Sequence, residues 1–343
     1  MSERKLASIR VINDIRPIPG ADAIECAVVG GWKVVVKKGD FQPGDLAIYL
    51  EIDSWVPHTL APFLSKGEPK VYNDIPGERL RTVKLRGQIS QGLLLPLSGS
   101  NGVEGQDLTE TLGIQKWEPP QKPARQMLGP SPGTPFPAEV PRTDQERVQN
   151  LLFPEILAHR PYEVTEKLDG MSCTLYLDSE EKFRVCSRNI TLDADKSSAL
   201  WNLALRLEIE DRMRNAECFG LALQGEVIGP GIQGNRYQRS ELEFHLFDIY
   251  DTNQERYLFA QERKNFAALL GLQHVPILGV FDGTEVPGSH EEITGVEQLI
   301  QSADGKTLLC ASGGIREGLV FKALHGEHFS FKAISNKFLL KEE

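Results

Sequence analysis

Residues 166–170 read Glu166-Lys167-Leu168-Asp169-Gly170. A lysine set this close to an aspartate and a glycine can act as a covalent nucleophile, provided its amine is neutral. A free lysine titrates at roughly 10.4, so burial or neighbouring cations must lower that value. The run Tyr162-Glu163-Val164-Thr165-Glu166 alternates like a strand, and so does Ser172-Cys173-Thr174-Leu175-Tyr176-Leu177. The lysine is therefore predicted in a tight turn between two strands, where Gly170 allows positive φ or close ligand approach. Taken alone, a Lys-x-Asp-Gly tetrapeptide is ordinary, and most lysines near turns are solvated.

Further groups follow in order. They are Ser187-Arg188-Asn189, then Gly225-Glu226, Phe247-Asp248, Glu317-Gly318-Leu319-Val320-Phe321-Lys322 and Phe331-Lys332-Ala333-Ile334-Ser335-Asn336. Each is weak singly. Their ordered appearance resembles motifs I, Ia, III, IIIa, IV and V of the covalent nucleotidyltransferases, the polynucleotide ligases and RNA capping enzymes. The resemblance runs over roughly residues 144–341.

It implies that Lys167 attacks the α-phosphorus of a nucleoside triphosphate, forms a phosphoramidate and expels pyrophosphate. Charge then builds on phosphate oxygens, which calls for cations. Lys322 and Lys332 are suited to grip the α-phosphate. A divalent metal, Mg2+ or Mn2+, needs oxygen ligands, which Glu226 and Glu317 can supply, with Asp169 orienting the metal's waters or the lysine. Metal and lysines together would lower the Lys167 pKa. By the same resemblance Phe247 stacks on the base, Glu166 helps read adenine, and Arg188 contacts the nucleotide or a 5′-phosphate end. Without the ordered set, Phe247 reads as core, and Glu317 with Lys322 as a surface pair.

The N-terminal part narrows the branch. Ile15-Arg16-Pro17-Ile18-Pro19-Gly20-Ala21-Asp22, Gly30-Gly31-Trp32, Val83-Lys84-Leu85-Arg86-Gly87 and Ser90-Gln91-Gly92-Leu93 look like the amino-terminal module of the fifth RNA ligase family. Thr143-Asp144-Gln145-Glu146-Arg147-Val148-Gln149-Asn150 fits that branch too, with Arg147 reaching the triphosphate. Eleven residues follow Lys332, so the OB domain that capping enzymes and most DNA ligases carry after motif V is not expected there. Many DNA ligases have arginine five residues after the nucleophile, where this chain has Ser172. The expectation is an ATP-dependent RNA ligase that seals 3′-hydroxyl and 5′-phosphate ends through lysine–AMP and an adenylylated 5′ end. Its expected partner is a nicked RNA or RNA/DNA duplex. The alternatives are a DNA-nick ligase and a non-catalytic nucleic-acid-binding protein with an idle pocket.

Two elements must position these residues. Residues 5–97 read as short strands: Leu6–Ile12, Ala23–Val29, Lys33–Val36, Leu46–Leu50, Arg81–Leu85 and Gly92–Leu95, separated by Pro/Gly turns. That spacing suggests an all-β OB-like barrel. Thr82, Lys84 and Arg86 share a strand face that could track a phosphate backbone, or could simply be solvated. Trp32, Tyr49 and Trp55 could stack on bases, though such aromatics are more often core. From residue 144 strands and helices intermingle, with a helix start expected at 143–147 and helices at 196–215, 261–270 and 292–302. The fold class is α+β: an OB-like domain (1–97), a Pro-rich connector (98–142) and a ligase-type adenylyltransferase domain (143–343) with largely antiparallel sheets. Eight prolines between Pro119 and Pro141 mark the connector.

Two patterns are set aside. Gly229-Pro230-Gly231-Ile232-Gln233-Gly234 matches a dinucleotide fingerprint but is followed by a strand, so it reads as a loop near a site. His325-Gly326-Glu327-His328 fits no zinc spacing and reads as a turn.

The chain has 343 residues and a net charge of −10. Residues 1–97 hold 13 Lys and Arg against 11 Asp and Glu, while the rest hold 25 against 37. Nucleic-acid binding would therefore need local basic patches, foremost in the N-terminal part. No apolar run approaches about 18 residues, so no membrane span is expected. Five scattered cysteines suit a reduced, cytoplasmic protein, expected to be monomeric.

Overall fold

The computed structural model describes residues 4–97, 102–118, 133–194, 198–289, 291–310 and 312–341. Two compact units divide them. One comprises residues 4–118, 149–152 and 339–341; the other comprises 133–148 and 153–338.

In the first unit Leu46–Leu50 lies between Ala7–Val11 and Leu93–Pro96 in an antiparallel sheet. Asp14–Pro17, Ile24–Val29 and Trp32–Lys37 form another, and Thr82–Leu85 pairs with Gln88–Gln91 as a hairpin. Alternation sets which face is core: Trp32, Val34 and Val36 are buried while Lys33 and Lys37 are not. Trp32, Tyr49 and Trp55 are only 1 %, 2 % and 3 % exposed. They pack the core and offer no face to a base. The unit also takes in part of the expected connector. Thr109 Oγ1 accepts from the N–H groups of Leu6 and Ala7, and Gln115–Lys116 pairs with Ser54–Pro57. Leu108, Leu112 and Ile114 complete an apolar cluster with Leu6, Leu50 and Leu80. These residues precede the proline run and carry enough apolar surface to dock. Residues 98–101 and 119–132 of the expected connector lie outside the described residues.

The second unit contains two sheets. One runs Gly133–Pro135, Ile190–Leu192, Phe183–Cys186, Met171–Leu177, Leu221–Ile228, Glu243–Asp251 and Arg256–Tyr257. Leu200, Leu203 and Ala204 of helix Ala199–Arg206, Ile209 and Met213 of helix Ile209–Asn215, and Ala267 of helix Ala260–Leu269 join Cys173, Leu175, Leu177 and Leu223 in one core. Each large buried aliphatic contributes about 1.5–3 kcal/mol. The other sheet runs Glu146–Arg147, Ser330–Ile334, Gly318–Ala323, Tyr162–Lys167 and Ile277–Phe281. Tyr162, Phe281, Phe321 and Phe331 interlock on one of its faces, Phe321 stacking on Phe331 at 4.7 Å between ring centres. Pairing in both sheets is antiparallel, apart from Glu146–Arg147 beside Ser330–Ile334 and Gln273–His274 beside Glu243–Asp251.

Three helix expectations change. The helix start at 143–147 is instead an extended segment ending in the strand Glu146–Arg147, because Arg147 pairs with Lys332 across the sheet. The helix over 196–215 breaks at Glu208, which adopts left-handed backbone (φ 50°) and starts a second helix. The helix expected from 292 begins at Val296. The two strands flanking Lys167 also belong to different sheets. Leu168–Gly170 is thus a crossing from one sheet to the other.

Candidate active site

Strand register collects the site. Thr165 faces Val320, Val320 faces Lys332, and Lys332 faces Arg147, in one line across four strands. Side chains in register share a face, and Lys167 and Lys322 lie two places from this line on the same faces of their strands. Lys167 ends its strand opposite Gly318, which places Glu317 beside it. A Cβ on Gly318 would lie 2.2 Å from the Ala333 carbonyl oxygen, so only glycine lets these strands meet here. On the other sheet Glu226 faces Ser172. Between Gln224 and Gly225 the pairing slips, leaving Phe247 as the extra residue of a β-bulge. Bulges re-aim side chains, and this one turns Phe247 into the cavity.

Thr143, Gln145, Thr165, Glu166, Lys167, Leu168, Glu226, Phe247, Val275, Val320 and Lys322 line the cavity. With its open mouth it measures about 460 Å³, a volume suited to a nucleotide-sized ligand. Lys167 Nζ donates to Glu317 at 2.9 Å. Burial pulls this amine toward neutrality, but Glu317, Glu226 and Asp169 more than offset it and hold the pKa above the usual lysine range. The charges that face this amine in the ligand-free cavity are carboxylates. Glu226 is pushed up to about 8, first by burial and then by the like charges of Glu317 and Asp169, against the pull of Lys167 and the Gly170 N–H.

Lys322 Nζ lies 2.7 Å from Asp248, 2.5 Å from the Phe247 carbonyl and 5.3 Å from the Phe247 ring centre. Burial brings its pKa down to about 8, Asp248 opposing and Arg263 assisting. Glu166 is 1 % exposed; one oxygen accepts from the Leu308 N–H at 2.8 Å, and the other has no hydrogen-bond partner. Burial raises its pKa, against Thr307, Leu308 and Arg316.

The other expected residues lie around this centre. Arg147 and Lys332 share the cavity-bearing face by register. Arg188 is half-buried, and its Nη2 donates to both carboxylate oxygens of Asp144, at 2.6 and 2.5 Å, next to the lining residues Thr143 and Gln145. Asp169 accepts from Arg236 at 2.5 Å.

Among the described residues no three His, Cys, Asp or Glu side chains stand together as a ready metal cluster. The donor chemistry nevertheless fits a hydrated cation. Glu226 and Glu317 converge on one amine, and burial, with the like charges of Glu317 and Asp169 added to it, holds the Glu226 carboxyl against ionisation. They would hold a divalent ion largely through water, with Asp169 as a third contact.

Sequence reasoning missed Thr143, Gln145, Thr165, Val275 and Val320 in the wall, and Arg236 and Tyr237 behind it. Period-2 alternation carried the signal for Thr165 and Val320 once Lys167 and Lys322 were placed. The other five depend on pairings between distant segments.

A sequence profile of an OB-fold domain matches residues 6–97. A profile of RNA ligase matches residues 160–334, more than half the chain. The chain belongs to the RNA ligase family. That match contains Lys167, Glu226, Phe247, Glu317, Lys322 and Lys332, whereas Arg147 lies before it. Solved structures of Naegleria gruberi RNA ligase resemble the whole chain. A mutant without ligand is 42% identical with a TM-score of 0.87, covering 99% of this chain and 98% of that one. A mutant with ATP and manganese is 42% identical with a TM-score of 0.86, covering 99% of each. The ligase with pyrophosphate is 43% identical with a TM-score of 0.86, covering 98% of each. A comparison with curated proteins found no match.

Proposed function

We propose that this RNA ligase divides its chemistry among the cavity residues as follows. It is ATP-dependent and works through lysine–AMP: the Naegleria relative was solved with ATP and manganese and, separately, with AMP and manganese or pyrophosphate. Lys167 is the nucleophile. Its nitrogen bonds to the α-phosphorus as the bond to the bridging oxygen breaks and pyrophosphate leaves. Lys322 and Lys332 hold the α-phosphate oxygens where charge develops, and Arg147 extends the cationic line to the outer phosphates. Phe247 stacks on adenine. The unpartnered oxygen of Glu166 accepts from the adenine amino group, which guanine lacks at that position. Asp169, Glu226 and Glu317 would hold Mg2+ or Mn2+, whose charge would offset these carboxylates and favour a neutral Lys167.

AMP then passes to a 5′-phosphate end, for which Arg188 is the candidate grip, and a 3′-hydroxyl displaces it. We assign the substrate as a nicked duplex with an RNA 3′-hydroxyl strand, acted on by a monomeric cytoplasmic enzyme. Among the described residues no helix is long and apolar enough to cross a membrane.

The observation that carries this reading is Lys167 at a cavity edge, 2.9 Å from Glu317, with Lys322 in the same wall. Incubation with α-labelled ATP or GTP, then denaturing electrophoresis, should label the chain from ATP alone, and Lys167→Ala should carry no label. Label surviving in Lys167→Ala would refute the assignment. Nicks ending in 3′-ribose should seal faster than those ending in 3′-deoxyribose; the reverse order would favour a DNA-nick ligase.

A further inference from the structure

The Gly-x-Gly-x-x-Gly loop has a use that a phosphate cradle does not describe. It joins Leu221–Ile228 to Glu243–Asp251. Its latter part reaches the nucleophile's turn. Arg236 Nη1 donates to Asp169 Oδ2 at 2.5 Å, and the Asp169 N–H donates to Tyr237 Oη at 2.8 Å. The next N–H, that of Gly170, donates to Glu226 Oε1 at 3.0 Å. Tyr237 is 3 % exposed and packs with Leu168, Ile228 and Val275. The Arg236 guanidinium lies over the Phe338 ring at 4.5 Å.

The loop itself is braced. Gly229 passes so close to Glu241 that a Cβ would lie 2.5 Å from its carbonyl oxygen. Asn235 donates to the Arg239 carbonyl at 2.8 Å and accepts from the Arg239 N–H at 3.0 Å. Ile232 is buried in the core beneath the helices.

This bracing matters because of where Lys167 sits. Its own backbone is fixed in one sheet, in register with Gly318, while Met171 belongs to the other. The intervening residues 168–170 lie outside both ladders. Side chains must hold their N–H groups instead, and two of the three are held by Tyr237 and Glu226.

We propose that Arg236 and Tyr237 are positioning residues for the nucleophile, fixing the backbone and carboxylate of Asp169 so that Lys167 leaves a rigid turn aimed at the α-phosphorus. This rests on Lys167 being the residue that takes AMP. Both side chains act on the backbone and carboxylate of Asp169 and neither is assigned a contact with ATP, so ATP binding should depend on them little. A misaimed nucleophile loses rate at saturating substrate, and displacement of about 1 Å can cost about 100-fold. Sealing of an RNA that already carries AMP on its 5′ end uses the 3′-hydroxyl as nucleophile, so it should depend on this clasp less.

The test measures single-turnover adenylylation across ATP concentrations, and sealing of a pre-adenylylated nicked RNA, for wild type, Tyr237→Phe, Arg236→Gln and Arg236→Lys. The maximal adenylylation rate of Tyr237→Phe should fall about tenfold, with KM for ATP within about twofold. Its sealing loss should be at least about fivefold smaller than its adenylylation loss. Arg236→Lys should recover most of what Arg236→Gln loses. Equal losses in both steps, a change in KM alone, or no change would overturn the proposal. Should Tyr237→Phe fail to fold, the Arg236 pair decides by the same criteria, since that side chain is 31% exposed. A wild-type chain that takes no AMP is a different result and overturns the ligase reading itself.

Discussion

Lys322 stands at the cavity end of a line of alternating charge. Behind it come Asp248, then Arg263, then Glu163, which also binds Lys264 at 2.6 Å. Arg263, Asp248 and Glu163 are each about 98% buried at the side chain, so the charges depend on one another for stability. His274 closes the line. Its Nε2 lies 2.9 Å from Arg263 Nε, which can only donate, so Nε2 must accept and Nδ1 carries the proton toward the Val275 carbonyl at 2.7 Å. Burial, and then the Arg263 charge, bring the His274 pKa down to about 4. An unfolded histidine near 6.5 binds protons that the folded one refuses. The neutral ring therefore costs nothing above pH 6.5, and stability drains away as pH falls from there toward 4. Urea titrations of wild type at pH 7 and pH 4.5 should differ by on the order of 2 kcal/mol from this group. His274→Gln, whose amide oxygen can accept from Arg263, should show a smaller acid loss. An unchanged difference between the two pH values would refute the assignment.

At the scale of elements, the site depends on two places where strands approach without a side chain between them. At Gly318 a Cβ would strike the Ala333 carbonyl at 2.2 Å, and at Gly225 it would strike the Phe244 ring at 2.4 Å. The first holds Glu317 against Lys167. The second lies at the bulge that turns Phe247 inward. Gly318→Ala must spread Gly318–Ala323 from Ser330–Ile334, which should cost about 1–3 kcal/mol of stability. It should also slow adenylylation by about tenfold or more through the displaced Glu317 and Lys322. Gly314→Ala, where the nearest atom is 4.0 Å away, is the control and should match wild type. Equal adenylylation rates for Gly318→Ala and Gly314→Ala would sink this account. The sequence marks the strand that carries Lys167 clearly, since Tyr162–Glu166 alternates. It does not mark the bulge or the sheet partners. Phe247 lies over twenty residues from Gln224, and whether one residue is skipped depends on packing that local pattern does not encode. The same limit hid Arg236 and Tyr237. Their glycine-rich loop was legible as a loop near a site, but its contact with Asp169 spans 67 residues.

At the scale of the whole molecule, an acidic chain must bind a polyanion. The OB fold was legible from short strands and turn signals, and the RNA ligase family from the order of its motifs along the chain. The exposure of the strand face expected to meet phosphate was less so, because burial depends on how a hairpin packs against the rest of its unit. Thr82, expected to share a solvent face with Lys84 and Arg86, is 3 % exposed and takes a hydrogen bond from Gln91 at 3.2 Å. Beyond it the hairpin is open on both faces: Lys84 and Arg86 are exposed, and so are Val83 and Leu85, while Arg81 is exposed just before it. A ribbon with three cations and two apolar side chains can meet phosphate and ribose together. The net charge of −10 repels RNA at long range, so these few cations should carry a large share of the salt-dependent affinity. Lys84→Glu combined with Arg86→Glu should weaken RNA binding and flatten the plot of log affinity against log salt by about 0.9 for each lost phosphate contact on a duplex. Sealing at limiting RNA should fall accordingly, while self-adenylylation, which needs no RNA, should keep its wild-type rate. A double variant with an unchanged salt slope would place the RNA elsewhere on the molecule, and one that lost adenylylation as well would show the hairpin serving the fold.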